Sequence, residues 1–142
     1  FVPTEKMEAE GVKVPATLEE LYANCDYISL HIPANEKTKG SINYELLSKM
    51  PKGGCLVNTA RKEVIDEAGM EKLLADRADL KYVTDIAPAN QAVLAEKFTT
   101  RFFATPKKQG AETAEANMNA GLAAARQIVG FIERGETKFK VN

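Results

Sequence analysis

Four short segments hold the side chains with which this sequence could do chemistry: His31-Ile32-Pro33, Asn58-Thr59-Ala60-Arg61, Asp85-Ile86-Ala87-Pro88 and Thr105-Pro106-Lys107-Lys108. A guanidinium at Arg61, directly after an apolar run, presents a planar fork of donors that matches a carboxylate or a phosphate. The competing reading is a surface ion pair with Glu63 or Asp66. His31, the sole histidine, falls in a strand pattern, where a hydrogen-bonded structural imidazole competes with a ligand contact. Asp85 is either a buried carboxylate of the sheet or a group that binds a ligand amide or hydroxyl. Lys107 and Lys108 stand just ahead of the longest helical pattern in the chain. A helix start carries about half a positive charge and unpaired N–H groups, so cations have the wrong sign there. Something other than helix stability must account for them.

Elements that could position these segments follow from the hydrophobic pattern. Apolar runs bounded by turn residues at 27–32, 54–58, 82–86 and 101–105 read as strands. Between them, Thr17-Leu18-Glu19-Glu20 forms a capping box, Asn43 can cap a helix over 44–50, and Asp66 can cap a third over 67–74. Runs that are apolar throughout and alternate with helices predict a parallel sheet covered on both faces, an α/β doubly wound layout. In such sheets ligands bind at the carboxyl ends of the strands, which is where all four segments fall. A last helix is predicted over 112–134, with Met118, Leu122, Ala125, Val129 and Ile132 on one apolar face that must dock on something. Gly135 is placed to end it, and the tail 136–142 alternates weakly enough to be a short strand or a loose end.

Composition sets limits on partners. At 142 residues, with 44% hydrophobic and 27% charged residues, the chain is one domain or a piece of one. Nineteen basic against 20 acidic residues give no basic excess of the kind that holds nucleic acid or an anionic membrane surface. No run of 18 apolar residues and no secretory signal pattern are visible. Cys25 and Cys55 form no C-x-x-C pair, which predicts buried thiols in a reducing cytoplasm and no metal site. The chain opens on Phe1 with no strand before it, which suggests a start in mid-domain.

Taken together, these segments resemble the D-isomer-specific 2-hydroxyacid dehydrogenases, most closely their D-3-phosphoglycerate dehydrogenase branch, over nearly the whole chain. Cys25 to Pro33 followed by Thr38 is similar to the family's segment along the adenosine side of NAD. Val57-Asn58-Thr59-Ala60-Arg61 through Val64-Ile65-Asp66-Glu67 is similar to its most specific signature, whose arginine binds the substrate carboxylate and carbonyl. Asp85 matches the aspartate near the nicotinamide carboxamide, and Thr105-Pro106 matches the dipeptide before the catalytic histidine. The resemblance thus implies cofactor contacts from His31, Pro33, Thr38, Thr59, Ala60, Asp85 and Gly110, and catalytic roles for Arg61 and one of Lys107 and Lys108. It also implies the C-terminal half of a Rossmann-type NAD-binding domain over 1–108. Residues 109–142 would return toward a substrate domain. A G-x-G-x-x-G turn is absent and is expected upstream of Phe1, with the acidic residue that binds ribose.

Two departures bear on mechanism. Lysine stands where the family has histidine, and Asn90 stands where it has the assisting glutamate. A short-chain branch of phosphoglycerate dehydrogenases resembles this arrangement. Counting forward from Thr105-Pro106 selects Lys107, and counting back from Gly110-Ala111 selects Lys108. A base must be able to lose its proton near working pH, and free lysine, at about 10.4, is a poor one. Burial, a neighbouring cation and a helix start all disfavour an ammonium ion, and the sequence puts a second lysine, Arg61 and a helix start around the pair. A glutamate partner would favour the ammonium, so Asn90 suits an amine better. The implied reaction is NAD-dependent oxidation of 3-phosphoglycerate to 3-phosphohydroxypyruvate, the first step of serine biosynthesis, by a cytoplasmic homodimer. Rival readings are a glyoxylate or hydroxypyruvate reductase and an NAD-sensing regulator of the same fold.

Overall fold

A computed structural model of the chain describes residues 2–107 and 113–140. The chain divides into two compact units, 1–107 and 108–142. In the first, helices α1 (Thr4–Ala9) and α2 (Leu18–Asn24) precede strand β1 (Tyr27–Leu30), and α3 (Tyr44–Leu47) leads to β2 (Cys55–Asn58). A single 3-10 turn, Lys62–Val64, and α4 (Glu67–Asp76) lead to β3 (Lys81–Thr84), and α5 (Gln91–Lys97) leads to β4 (Phe102–Ala104). The four strands pair in sequence order, every pair parallel. All four predicted strands form, each shorter by one or two residues, and β3 begins one residue earlier than predicted. The sequence pattern passes over α1 and α5: α1 buries no residue and α5 only Leu94, so neither has an apolar stripe to read.

Local chemistry explains the helix starts. The Thr17 hydroxyl accepts the Glu20 N–H at 3.1 Å, while the Glu20 carboxylate accepts the Ala16 N–H at 2.9 Å. Asn43 Oδ1 accepts the Leu46 N–H at 3.0 Å. Asp66 occupies the cap position of α4 without a side-chain cap bond, a departure from the predicted cap. Gly69 lies in the first turn of this helix, where an added Cβ would sit 2.5 Å from Asp66 Oδ2 and 3.0 Å from the Tyr44 backbone nitrogen. Gly69→Ala should therefore lower stability by roughly 1–3 kcal/mol through overpacking, measured by thermal unfolding, despite alanine's better helix propensity.

The in-register row Ile28, Leu56, Tyr82 and Phe102 is buried beneath Tyr22, Leu47, Met70, Leu74 and Leu94 of the helices. The alternate row carries Ser29, Val57, Val83 and Phe103, of which Ser29 and Phe103 are exposed. The buried row thus faces the helix side chains of the core, and the alternate row is half-buried or exposed in this unit. Cys55 is buried and Cys25 half-buried, both as free thiols.

At the amino end of the strands, Arg77 closes the layer. Its guanidinium donates to the Ser48 and Met50 carbonyls at 3.0 and 3.2 Å and to both Asp79 oxygens at 2.9 and 2.8 Å. Asp79 Oδ2 also accepts the N–H of Gly53, at 2.9 Å, where the turn into β2 needs a positive φ of 83°. The Arg77 hydrogen bonds, followed by the Gly53 N–H, hold the Asp79 carboxyl well below the usual carboxylate range. Because the folded value is depressed, this contribution is fully present above the unfolded value of about 3.9 and fades as the pH falls below it. Asp79→Asn should cost about 1–3 kcal/mol at pH 7 and flatten the loss of stability below about pH 4, measured by denaturant titration across pH.

In the second unit, α6 (Ala114–Arg134) starts two residues later than predicted. The reason is its cap: the Thr113 hydroxyl accepts the Ala116 N–H at 3.1 Å. Gly135 adopts φ 65° and ends the helix as predicted, with Glu136 N–H donating to Gly130 O at 3.2 Å. Residues 135–140 form no strand. The unit itself supplies no cover for Met118, Leu122, Val129 and Ile132. Among the described residues no helix is long and apolar enough to cross a membrane, and no cluster of side chains could hold a metal ion.

Candidate active site

Parallel pairing brings the carboxyl ends of the four strands to one edge of the sheet, and the register aligns Leu30 with Asn58, Asn58 with Thr84, and Thr84 with Ala104. The predicted segments lie at these ends, reaching three or four residues beyond them. His31, past β1, is exposed, and its Nε2 lies 2.9 Å from Ser29 Oγ. Pro33 is also exposed, and its carbonyl accepts the Thr38 hydroxyl at 2.6 Å. That hydroxyl also accepts the Asn35 N–H at 2.9 Å, closing the turn over 35–40.

Past β2, Thr59 is exposed and Ala60 half-buried. The exposed Arg61 has extended backbone, φ −149° and ψ 140°, and its Nη1 donates to the Ala60 carbonyl at 2.8 Å. Among the described residues its guanidinium forms no ion pair, so neither Glu63 nor Asp66 engages it. Past β3, Asp85 is buried at 8% exposure, and its N–H reaches the Asn58 carbonyl at 3.4 Å. Past β4, the Thr105 hydroxyl donates to the carbonyl of Lys107 at 2.6 Å, and Lys107 is exposed. Lys108 and Gly110 lie outside the described residues.

Asn90 opens α5 and turns toward α4, where its Nδ2 donates to the Glu67 carbonyl at 3.3 Å. Glu67 Oε1 in turn accepts the Ala89 N–H at 2.9 Å, so the start of α4, six residues after Arg61, is tied to the loop that follows Asp85. Lys97, bonded at 2.7 Å, holds the neighbouring Glu71 carboxyl below its ordinary value.

Two buried polar residues, Asn58 and Thr84, receive no role of their own from the sequence. Asn58 is fully buried, with Oδ1 accepting from Ala60 N–H and Nδ2 donating to the Arg61 carbonyl, both at 3.0 Å. Thr84 is 1% exposed, with its hydroxyl 2.8 Å from the Asn58 carbonyl and accepting the Ile86 N–H at 3.0 Å. The available signal was a polar residue closing each of two apolar runs, where burial without hydrogen-bond partners would cost stability. A cation able to grip an acid group, a buried carboxylate one strand away and an amine at the next strand end together suit an anionic substrate and proton transfer.

A family model described as "D-isomer specific 2-hydroxyacid dehydrogenase, NAD binding domain" matches residues 2–107. The D-3-phosphoglycerate dehydrogenase of Haemophilus influenzae is 31% identical over 96% of this chain and 35% of its own length. That of Methanocaldococcus jannaschii is 33% identical over 96% of this chain and 26% of its own. The crystal structure of NAD+-bound 3-phosphoglycerate dehydrogenase from Entamoeba histolytica superimposes with a TM-score of 0.78 at 47% identity, over 96% of this chain and 50% of that one. The chain therefore spans half or less of the proteins it matches.

Proposed function

Because the chain belongs to the D-isomer specific 2-hydroxyacid dehydrogenase family, we propose that it is part of an NAD-dependent dehydrogenase that oxidises 3-phosphoglycerate at its 2-hydroxyl. One observation carries the reading: Arg61 and Asp85 follow adjacent strand ends and are joined through Asn58, whose side-chain amide donates to the Arg61 carbonyl and whose own carbonyl accepts the Asp85 N–H, and among the described residues the guanidinium is spent on no carboxylate. The 47% identity to an NAD+-bound 3-phosphoglycerate dehydrogenase supports the choice of substrate.

The residues present fit the dinucleotide. An open parallel sheet offers its crevice at the carboxyl strand ends, and a buried carboxylate at Asp85 is the acceptor that a carboxamide N–H requires. In this reading His31, Pro33 and Thr38 lie along the adenosine side, and Thr59, Ala60 and Gly110 are further cofactor contacts. NAD supplies the hydride acceptor when bound. Arg61 binds the substrate carboxylate through paired N–H donors and fixes the carbon that carries the hydroxyl. The amine of Lys107 or Lys108 takes the hydroxyl proton, and the other amine pairs with the phosphate. Residues 1–108 then form the C-terminal half of the NAD-binding domain, and 109–142 lead to the substrate domain. The protein is a cytoplasmic homodimer of the serine-forming route.

The test is spectrophotometric: the whole protein should form NADH from 3-phosphoglycerate. A preference for hydroxypyruvate or glyoxylate reduction overturns the substrate, and cofactor binding without turnover overturns the enzyme. Light scattering should give twice the protomer mass, and a monomer contradicts the dimer.

A further inference from the structure

We propose that Asn58 and Thr84 are positioning residues, a buried relay that fixes the Arg61 and Asp85 loops before any ligand binds. This rests on the reading that Arg61 and Asp85 serve a dehydrogenase site. Arg61 lies three residues past the end of β2 and Asp85 one past the end of β3, and loops at an open sheet edge ordinarily carry backbone mobility. Here Asn58 uses both ends of its amide on the Arg61 loop, holding Ala60 N–H and Arg61 O at 3.0 Å each. Its own carbonyl, 2.8 Å from the Thr84 hydroxyl, links this loop to β3. The same hydroxyl accepts from Ile86 N–H at 3.0 Å and so sets the residue after Asp85. The network continues: the Thr84 carbonyl accepts Thr105 N–H at 3.0 Å, and the Thr105 hydroxyl holds the Lys107 carbonyl at 2.6 Å.

Both side chains are buried, at 0% and 1% exposure, so water cannot substitute for a lost partner and the geometry is held in a low-dielectric interior. A site that must place a guanidinium and an amine around one carbon gains from such fixed supports, since misplacement by about 1 Å can cost on the order of a hundredfold in rate.

Thr84→Val keeps the shape of the side chain and removes the hydroxyl, and Thr84→Ser keeps the hydroxyl. In the whole protein, with 3-phosphoglycerate as substrate, Thr84→Val should lower kcat by at least tenfold. It should also raise the primary isotope effect measured with substrate deuterated at C2, while NAD affinity stays within about threefold. Thr84→Ser should stay within about twofold of the parent in all three. A purely structural role would lower the amount of folded enzyme and leave the isotope effect unchanged. If Thr84→Val behaves as the parent, or Thr84→Ser is as impaired as Thr84→Val, the relay is refuted. A second measurement needs no variant: the Ala60 and Ile86 amides should exchange at least a hundredfold more slowly than in an unfolded chain without ligand, and fast exchange refutes the relay. Arg61→Ala assayed alongside separates the two claims, because an unimpaired Arg61→Ala enzyme refutes the underlying site reading instead.

Discussion

Alanine at Lys107 or at Lys108, tested separately in the whole protein, should leave one variant with turnover of 3-phosphoglycerate lowered by about 10²- to 10⁴-fold, the usual worth of a positioned proton-transfer group. Cofactor affinity should change by no more than a few fold, because the amine acts on the substrate hydroxyl. The other variant should keep most of its kcat and show a raised KM, as expected for lost phosphate pairing that is uniform between ground and transition states. Steady-state kinetics with a separate NAD titration reads both. Lys107 follows a strand end at which the Thr105 N–H donates to the Thr84 carbonyl and the Thr105 hydroxyl donates to the Lys107 carbonyl, so its backbone is held even though its side chain is exposed. Normal turnover in both variants removes the amine from the mechanism.

Arg61→Ala should lower kcat/KM by roughly 10³-fold or more, since a charge-assisted, two-pronged contact to the substrate carboxylate is lost where few other groups could replace it. Arg61→Lys should recover only part of this loss, because a point charge cannot reproduce the fork. The thermal midpoint should hardly move in either variant: Arg61 is exposed, and among the described residues its guanidinium forms no ion pair and donates its one hydrogen bond to the Ala60 carbonyl. Activity lost without stability lost separates a binding residue from a structural one. A stability loss matching the activity loss would return Arg61 to the surface-pairing role.

The strands were legible because Tyr27 to Leu30, Cys55 to Asn58 and Lys81 to Thr84 carry apolar runs bounded by turn residues, and parallel pairing then leaves only one edge for the chemistry. Thr17, Asn43 and Gly135 were legible because capping is local: each bonds within four residues of itself. The supports were not. Thr84 meets Asn58 across a separation of 26 residues, and Ala89 meets Glu67 across 22. No spacing within a segment reveals such pairs; only the register of neighbouring strands and helices does. Asp66 shows the opposite error, a good cap by residue type that makes no side-chain cap bond. The burial of the two rows of the sheet is also unequal in a way that apolar continuity does not reveal. Val57 and Val83 are as apolar as strand interiors require and remain only half-buried.

The most direct measurement is a crystal structure of the whole protein with NAD and 3-phosphoglycerate bound. Both Arg61 Nη atoms should lie on the substrate carboxylate, and one lysine Nζ, from 107 or 108, within about 2.6–3.2 Å of the 2-hydroxyl oxygen. A carboxylate held elsewhere, or a hydroxyl facing a side chain other than these two amines, would contradict the mechanism.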